Sequence, residues 1–402
     1  MKTGIVMGAA LSAAAVGGLA VVVACSSSSA VPVPQTSAPT QCSTKAGQFP
    51  VANCVPYDPT TESCQSPPLS CDTSPCDMSS PCLAMVPKAD DNSGKTVANF
   101  RMRKLNITAP DALAFQPPSH VFVQKAVIDQ GIYLHNFCGE GPHDGTFSWL
   151  IQLDTVNNKV KTGGAPPTMD PFGTGYCFVN TTIQNLQVAP ITVDVTKGSD
   201  GSYATAKIPK LFVPIYSPST SGGFQTIILP LSGAQVKDIT LSDSNNCIGG
   251  YNAKAINSVT SGSCTDDPTA CSRWTTAGSL GGYITLNDSD GVAVPQLSES
   301  LCVLLTGGSS VVMNGSFKSC MKDGSGNVMA KGDYCSTTDS PGGCQDSYWL
   351  AATFAASAAK IVDPNQADCM GGTMSGGDGG TEGGATEAGT GDSGSPTDAG
   401  GQ

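Results

Sequence analysis

Thr146-Phe147-Ser148-Trp149-Leu150-Ile151-Gln152-Leu153-Asp154 is the stretch that decides the fold. Phe147, Trp149, Ile151 and Leu153 recur at every second position, which puts them on one face of an extended strand. The opposite face holds mainly polar side chains. Asn157-Asn158 supplies a tight turn, and Lys159-Val160-Lys161 returns beyond it. Residues 146–162 therefore read as a β-hairpin.

The same period runs outward from the hairpin. Phe100 and Met102 alternate with Arg101 and Arg103. The phase then slips at Lys104, because Leu105 and Ile107 keep the spacing on the other parity. A slip of one residue would turn the whole face over, so a bulge near Lys104 is expected. Further short apolar runs lie at 121–127, 132–137, 191–195, 211–216, 226–231, 283–286 and 309–313, separated by Gly, Pro, Asn and Asp clusters. Many short strands with such turns predict a mainly β protein with an antiparallel β-sandwich-like body. The alternating helices that a parallel sheet requires are missing.

One C-terminal helix is expected over residues 348–361, capped by Asp346 or Ser347. Its alanines favour helix, and Leu350, Phe354, Ala358 and Ile361 fall on one stripe. Residues 297–305 read as a second, shorter helix. Cys344 and Cys369 bracket the first helix, and a bond between them would pin it down.

Composition divides the chain into zones. Residues 1–24 begin with Met1-Lys2, run on uncharged and end in small residues, as a secretory signal peptide does. Residues 25–41 carry no charge and are rich in Ser, Pro, Ala and Thr, a disordered tether that reaches on the order of 50 Å at ~3.1 Å per residue. Residues 42–82 hold Cys42, Cys54, Cys64, Cys71, Cys76 and Cys82 among many prolines. So short and apolar-poor a segment needs bridges in place of a core, so it reads as a small disulfide-stapled N-terminal module or a cap on the next domain. Residues 83–369 form the β-rich body. Residues 370–402 have acids and glycines but no Lys, Arg or aromatic, which predicts a disordered acidic tail.

The chain has 17 cysteines. So many in one chain point to an oxidising compartment. The C-x2-C knuckles of zinc sites are absent. If Cys25 is set aside, Cys42, Cys54, Cys64, Cys71, Cys76, Cys82, Cys138, Cys177, Cys247, Cys264, Cys271, Cys302, Cys320, Cys335, Cys344 and Cys369 remain, an even set of disulfide candidates whose pairing the sequence leaves open. Without Lys2 there are 19 basic residues against 32 acidic, a net charge of −13. Such a chain is repelled by phosphates and lacks a basic stripe, so no nucleic-acid partner is expected.

Val22-Val23-Ala24-Cys25 resembles the lipobox of bacterial lipoprotein precursors. That resemblance implies cleavage before Cys25 and acylation of its thiol, which makes the lipid bilayer a partner. Two or more acyl chains anchor stably. Plain secretion and an uncleaved anchor are the competing readings of the leader. Ser26 after the acylated cysteine fits sorting to the outer membrane or cell surface of a diderm bacterium. The order of parts is also similar to cysteine-rich surface lipoproteins of myxobacteria. It runs from lipobox and tether through the cysteine cluster to the strand with Phe147-Ser148-Trp149, then Asn246-Cys247-Ile248-Gly249 and Ser300-Leu301-Cys302-Val303-Leu304-Leu305. This likeness implies location and architecture and carries no mechanism.

Chemical motifs are sparse. His135, Cys138 and His143 bring imidazole and thiol ligand types within nine residues, a candidate metal group set against a plain Gly-Pro loop with Cys138 in a disulfide. Asn287-Asp288-Ser289-Asp290-Gly291 resembles part of a calcium loop but has Leu286 and Leu297 where acids are needed, so a turn is expected. Asp90-Asp91-Asn92 and Asp243-Ser244-Asn245-Asn246 are similar polar loops. Ala277-Gly278-Ser279-Leu280-Gly281 only loosely matches a nucleophile elbow. Lys331-Gly332-Asp333 matches an adhesion tripeptide by chance. No catalytic residue and no cofactor is assigned. The expected function is a membrane-anchored extracytoplasmic protein with a non-enzymatic binding or envelope-structural role toward a glycan or protein ligand. A secreted glycan-directed hydrolase is the alternative, and a metal-binding surface protein the third reading.

Overall fold

The structure is a computed structural model. The chain divides into two units, Met1–Ala38 and Pro39–Gln402. The structure describes residues 42, 44–54, 88–114, 122–132, 134, 145–168, 171–218, 224–251 and 274–362, all in the second unit. Cys25, the tether and the tail lie outside them.

The strands, in chain order, are β1 (Val97–Ala109), β2 (Ser148–Asp154), β3 (Lys159–Ala165), β4 (Thr181–Ile183), β5 (Leu186–Val188), β6 (Ile191–Lys197), β7 (Tyr203–Thr205), β8 (Ile208–Pro218), β9 (Phe224–Lys237) and β10 (Cys247–Ile248). There follow β11 (Gly250–Tyr251), β12 (Trp274–Thr275), β13 (Gly278–Thr285), β14 (Ala293–Val294), β15 (Glu299–Ser300), β16 (Val311–Asn314), β17 (Phe317–Cys320), β18 (Tyr334–Cys335), β19 (Ser340–Pro341) and β20 (Ser347–Ala358). The fold is mainly β, as expected. Its main sheet runs β7-β6-β3-β2-β1-β20-β13-β9-β8, antiparallel throughout.

The predicted hairpin is β2–β3, paired without a slip from Ser148↔Ala165 to Asp154↔Lys159. Asn158 takes the left-handed conformation (φ 52°) that asparagine tolerates in such turns. Phe147, Trp149, Ile151 and Leu153 all enter the main core. The expected bulge is present. The register of β1 on β20 shifts between Met102 and Lys104, so Phe100, Met102, Leu105 and Ile107 all reach the same interior.

The sheet curls until its ends meet. Tyr203 and Ile239 exchange both backbone hydrogen bonds, at 2.9 and 3.0 Å. At the other edge the Tyr216 amide donates to the Thr146 carbonyl at 3.0 Å. Strands from opposite ends thus face each other across one apolar interior, in a sandwich-like arrangement.

Two expectations are corrected. Residues 348–361 hold no helix; they contain β20, the central strand. Leu350, Ala352, Phe354 and Ala356 face the interior, while Trp349, Ala351 and Ala355 pack in clusters on the outer face. With both faces buried the strand shows no polar alternation, and tertiary pairing to β1 and β13 overrides alanine's helix preference. The run at 121–127 gives no strand either. Its described residues, 122–127, lie in a π-helical segment, Phe122–Asp129, followed by α1 (Gln130–Ile132). The side chain of Gln124 acts in place of a strand partner, accepting from Ile107 N and donating to Leu105 O, both at 2.8 Å. β1 needs that partner because its pairing with β2 ends at Arg101↔Leu150.

The shorter helix is cut down. Ser298 adopts the left-handed conformation (φ 53°) between the 3-10 turn Pro295–Leu297 and β15. A helix resumes only at Leu301–Leu305, where Ser300 accepts from Val303 N. Leu286–Asp290, in the calcium-like stretch, is one helical turn capped by Thr285.

Candidate functional site

The interior of the curled sheet is not filled. It holds a cavity of about 130 Å³. Met102, Leu105 and Ile107 of β1 line it, with Leu350, Ala352 and Phe354 of β20 and the apolar rows of β8 and β9. Val123, Val127 and Ile128 of the π-helical segment close part of its wall, and Val294, Leu301 and Leu304 another part.

Every lining residue is apolar except Thr162 and Thr205, and both hydroxyls are engaged. Thr162 Oγ1 donates to Leu150 O and accepts from Trp149 Nε1, each at 2.8 Å. Thr205 Oγ1 accepts from Val236 N at 2.9 Å. A buried water needs two to four polar partners, and this lining offers it almost none. The lining therefore favours an apolar occupant over water.

Polar groups are instead placed behind the wall. Asp129 accepts from Lys104 Nζ and from Gln124 Nε2, both at 2.9 Å, which ties the π-helical segment to β1. On the outer face of β1, Arg101 is fully buried. It donates to Ser148 Oγ (3.0 Å) and to the carbonyls of Met102, Ile132 and Phe147 (3.2, 3.0 and 3.4 Å), and lies 5.4 Å from the Tyr176 ring centre. Burial lowers its pKa. Burial pushes the Tyr176 phenol up, against the pull of Arg101 and Arg103. Arg103 lies 5.0 Å from the Trp274 ring centre.

All eight cysteines among the described residues are oxidised. Cys42 is bonded to Cys54, Cys302 to Cys320 and Cys335 to Cys344, and Cys177 and Cys247 are disulfide-bonded too. The expected Cys344–Cys369 bond is thus corrected, since Cys344 closes a short loop with Cys335. Cys64, Cys71, Cys76, Cys82, Cys138, Cys264, Cys271 and Cys369 lie outside the described residues. So do His135 and His143, and with them the whole candidate metal group. Two sets of side chains have metal-like spacing, Asp290 with Cys302 and Cys320, and Asp346 with Cys335 and Cys344. Their sulfurs are committed to disulfides and offer no thiolate. Asp290 accepts from Ser300 Oγ and Cys320 N, and Asp346 from Ser336 and Ser347.

The two polar loops at Asp91 and Asn246, far apart in sequence, do meet. Asn92 N donates to Asn246 Oδ1 at 2.7 Å, and Asn246 Nδ2 donates to Asp91 Oδ1 at 3.1 Å. Lys88 and Lys95 face Asp91 and Asp90. The amides and ammonium groups already take the oxygens that a cation would need, so this is a fastening between two loops. Ser279 sits within β13, buried, and donates to Asp238 Oδ2 at 2.9 Å. It is a strand residue and not the exposed tip of an elbow. Asp333 accepts from Trp349 N at 2.8 Å, which turns the tripeptide's acid inward.

No family model, curated protein or solved structure matches the chain. Among the described residues no helix is long and apolar enough to cross a membrane. Sequence reasoning missed the cavity, because each lining side chain reads as ordinary core. The available signal was small residues, Ala352 and Ala234, at inward positions of long strands.

Proposed function

We propose that this chain is a lipid-anchored extracytoplasmic protein whose β body binds a ligand in its interior and performs no chemistry on it. The observation that carries the reading is the apolar cavity inside the curled sheet. A well-packed core leaves few voids larger than a water molecule, and an empty one forfeits contact energy in its lining. Retaining about 130 Å³ of it has a use if something fits there. In this reading Cys25 carries the acyl chains, residues 25–41 hold the body off the bilayer, and disulfides replace core at the periphery. The fully oxidised state of the eight described cysteines supports a compartment where such bonds persist.

Two measurements on protein isolated from membranes test this. Intact mass before and after reduction is expected to give an acylated Cys25 and the uptake of two hydrogens per bridge. Solvent extraction of the washed protein is expected to release a small apolar molecule. An unmodified Cys25 removes the anchor, and an extract with no apolar molecule counts against the binding role.

A further inference from the structure

From the size and lining of the cavity we infer the class of ligand, a neutral hydrocarbon of about benzene size, held with no polar contact. This rests on the binding reading above and narrows it. An engineered apolar cavity of about 150 Å³ in another protein stays dry and takes up benzene or xenon, and the cavity here is about 130 Å³. That volume admits one aromatic ring or an alkyl chain of about six carbons. A long acyl chain or a fused polycycle exceeds that volume.

The lining fixes polarity as tightly as the volume fixes size. A ligand hydroxyl or carboxylate placed inside needs a partner, and leaving one without costs far more than a lost apolar contact. The hydroxyls of Thr162 and Thr205 are already bonded to Leu150, Trp149 and Val236. Lys104 and Asp129, which flank lining residues in the chain, are paired with each other where the π-helical segment attaches to β1. Neither residue is among those lining the cavity. The site therefore selects against alcohols, acids and amines of the same size. It resembles a hydrophobic pocket with its orienting polar groups left out, so it discriminates by volume and by the absence of any group that hydrogen-bonds.

Ala352 is the residue on which to test this. It lies at the centre of β20, is 1% exposed and borders the void. A larger side chain there occupies the ligand's space without touching the sheet's hydrogen bonds.

The test uses the full chain with Cys25→Ser, exported and oxidised, so that no detergent competes for the cavity. Benzene, n-hexane, phenol, naphthalene and hexadecanoate are titrated by calorimetry, with melting temperature followed in parallel. Benzene and n-hexane are expected to bind saturably and raise the melting temperature, phenol at least tenfold more weakly, and naphthalene and hexadecanoate not at all. Ala352→Leu is expected to weaken benzene at least tenfold. Ala234→Val, a smaller filling, serves the same end if the first variant does not fold. Tighter binding of hexadecanoate or naphthalene than of benzene overturns the inferred class and leaves an apolar binding role standing. Binding of none of the five overturns both. Benzene binding unchanged in a folded filled variant places the ligand elsewhere and overturns the assignment.

Discussion

The two faces of β20 are packed by opposite rules. On the inner face Leu350, Ala352 and Phe354 border empty space. On the outer side the contacts are crowded. A Cβ on Gly281, paired with Ala351, would stand 2.7 Å from the Trp349 ring and 2.8 Å from Phe49. That outer layer is also polar where the interior is not, with Arg101 and Arg103 sunk among aromatic rings. The difference shows that small residues serve two purposes in one sheet. Outside, they let a second layer of chain approach. Inside, they leave volume.

The contrast can be broken most severely at Arg101. Arg101→Met is expected to cost on the order of 3 kcal/mol in denaturant unfolding, because the carbonyls of Ile132 and Phe147 lose a buried donor. A variant as stable as wild type would show the outer layer to be dispensable. Next in size is Gly281→Ala, expected to lose about 1–3 kcal/mol by overpacking against Trp349 and Phe49. Its inner-face counterpart, Ala352→Val, is expected to be neutral or to gain up to about 1 kcal/mol, since added methyls enter a void. If both additions cost alike, the two faces do not differ. The smallest effect is at the rim. Ser93 and Asn246 hold the Asp91 carboxylate below its usual range. Its folded pKa lies under the unfolded value of about 4, so these bonds stabilise the protein above that pH and are lost as pH falls through the folded value. The difference in melting temperature between wild type and Asp91→Asn is expected to shrink steadily below pH 4. A constant difference would assign it to packing.

What the sequence disclosed follows the same division. The β2–β3 hairpin was readable because one side of it is strictly apolar. The slip at Lys104 was readable because a parity change leaves a local mark. β20 was not, since a strand sunk on both sides shows alanine propensity and no period. The π-helical segment was hidden for another reason. Its attachment depends on one glutamine amide meeting β1, and nothing local to residues 122–129 announces that. The cysteine count pointed to oxidised sulfur, yet the Cys335–Cys344 bond depends on a turn that spacing does not specify. The cavity was least readable of all, being space between side chains drawn from many strands.

The position of β20 also sets the order of events in folding. This strand is the last element of the sheet to leave the ribosome, and it lies between β1 and β13. Its partner residues on β1 are some 250 positions earlier in the chain, and such distant pairings are slow to form. Until residue 358 is free, β1 and β13 each lack the neighbour they share, and the apolar faces of the two half-sheets can meet only through the edge contacts of β7 and β8. A chain cut short before β20 therefore lacks the strand that joins β1 to β13 along their length, and its two half-sheets are held only at their outer edges.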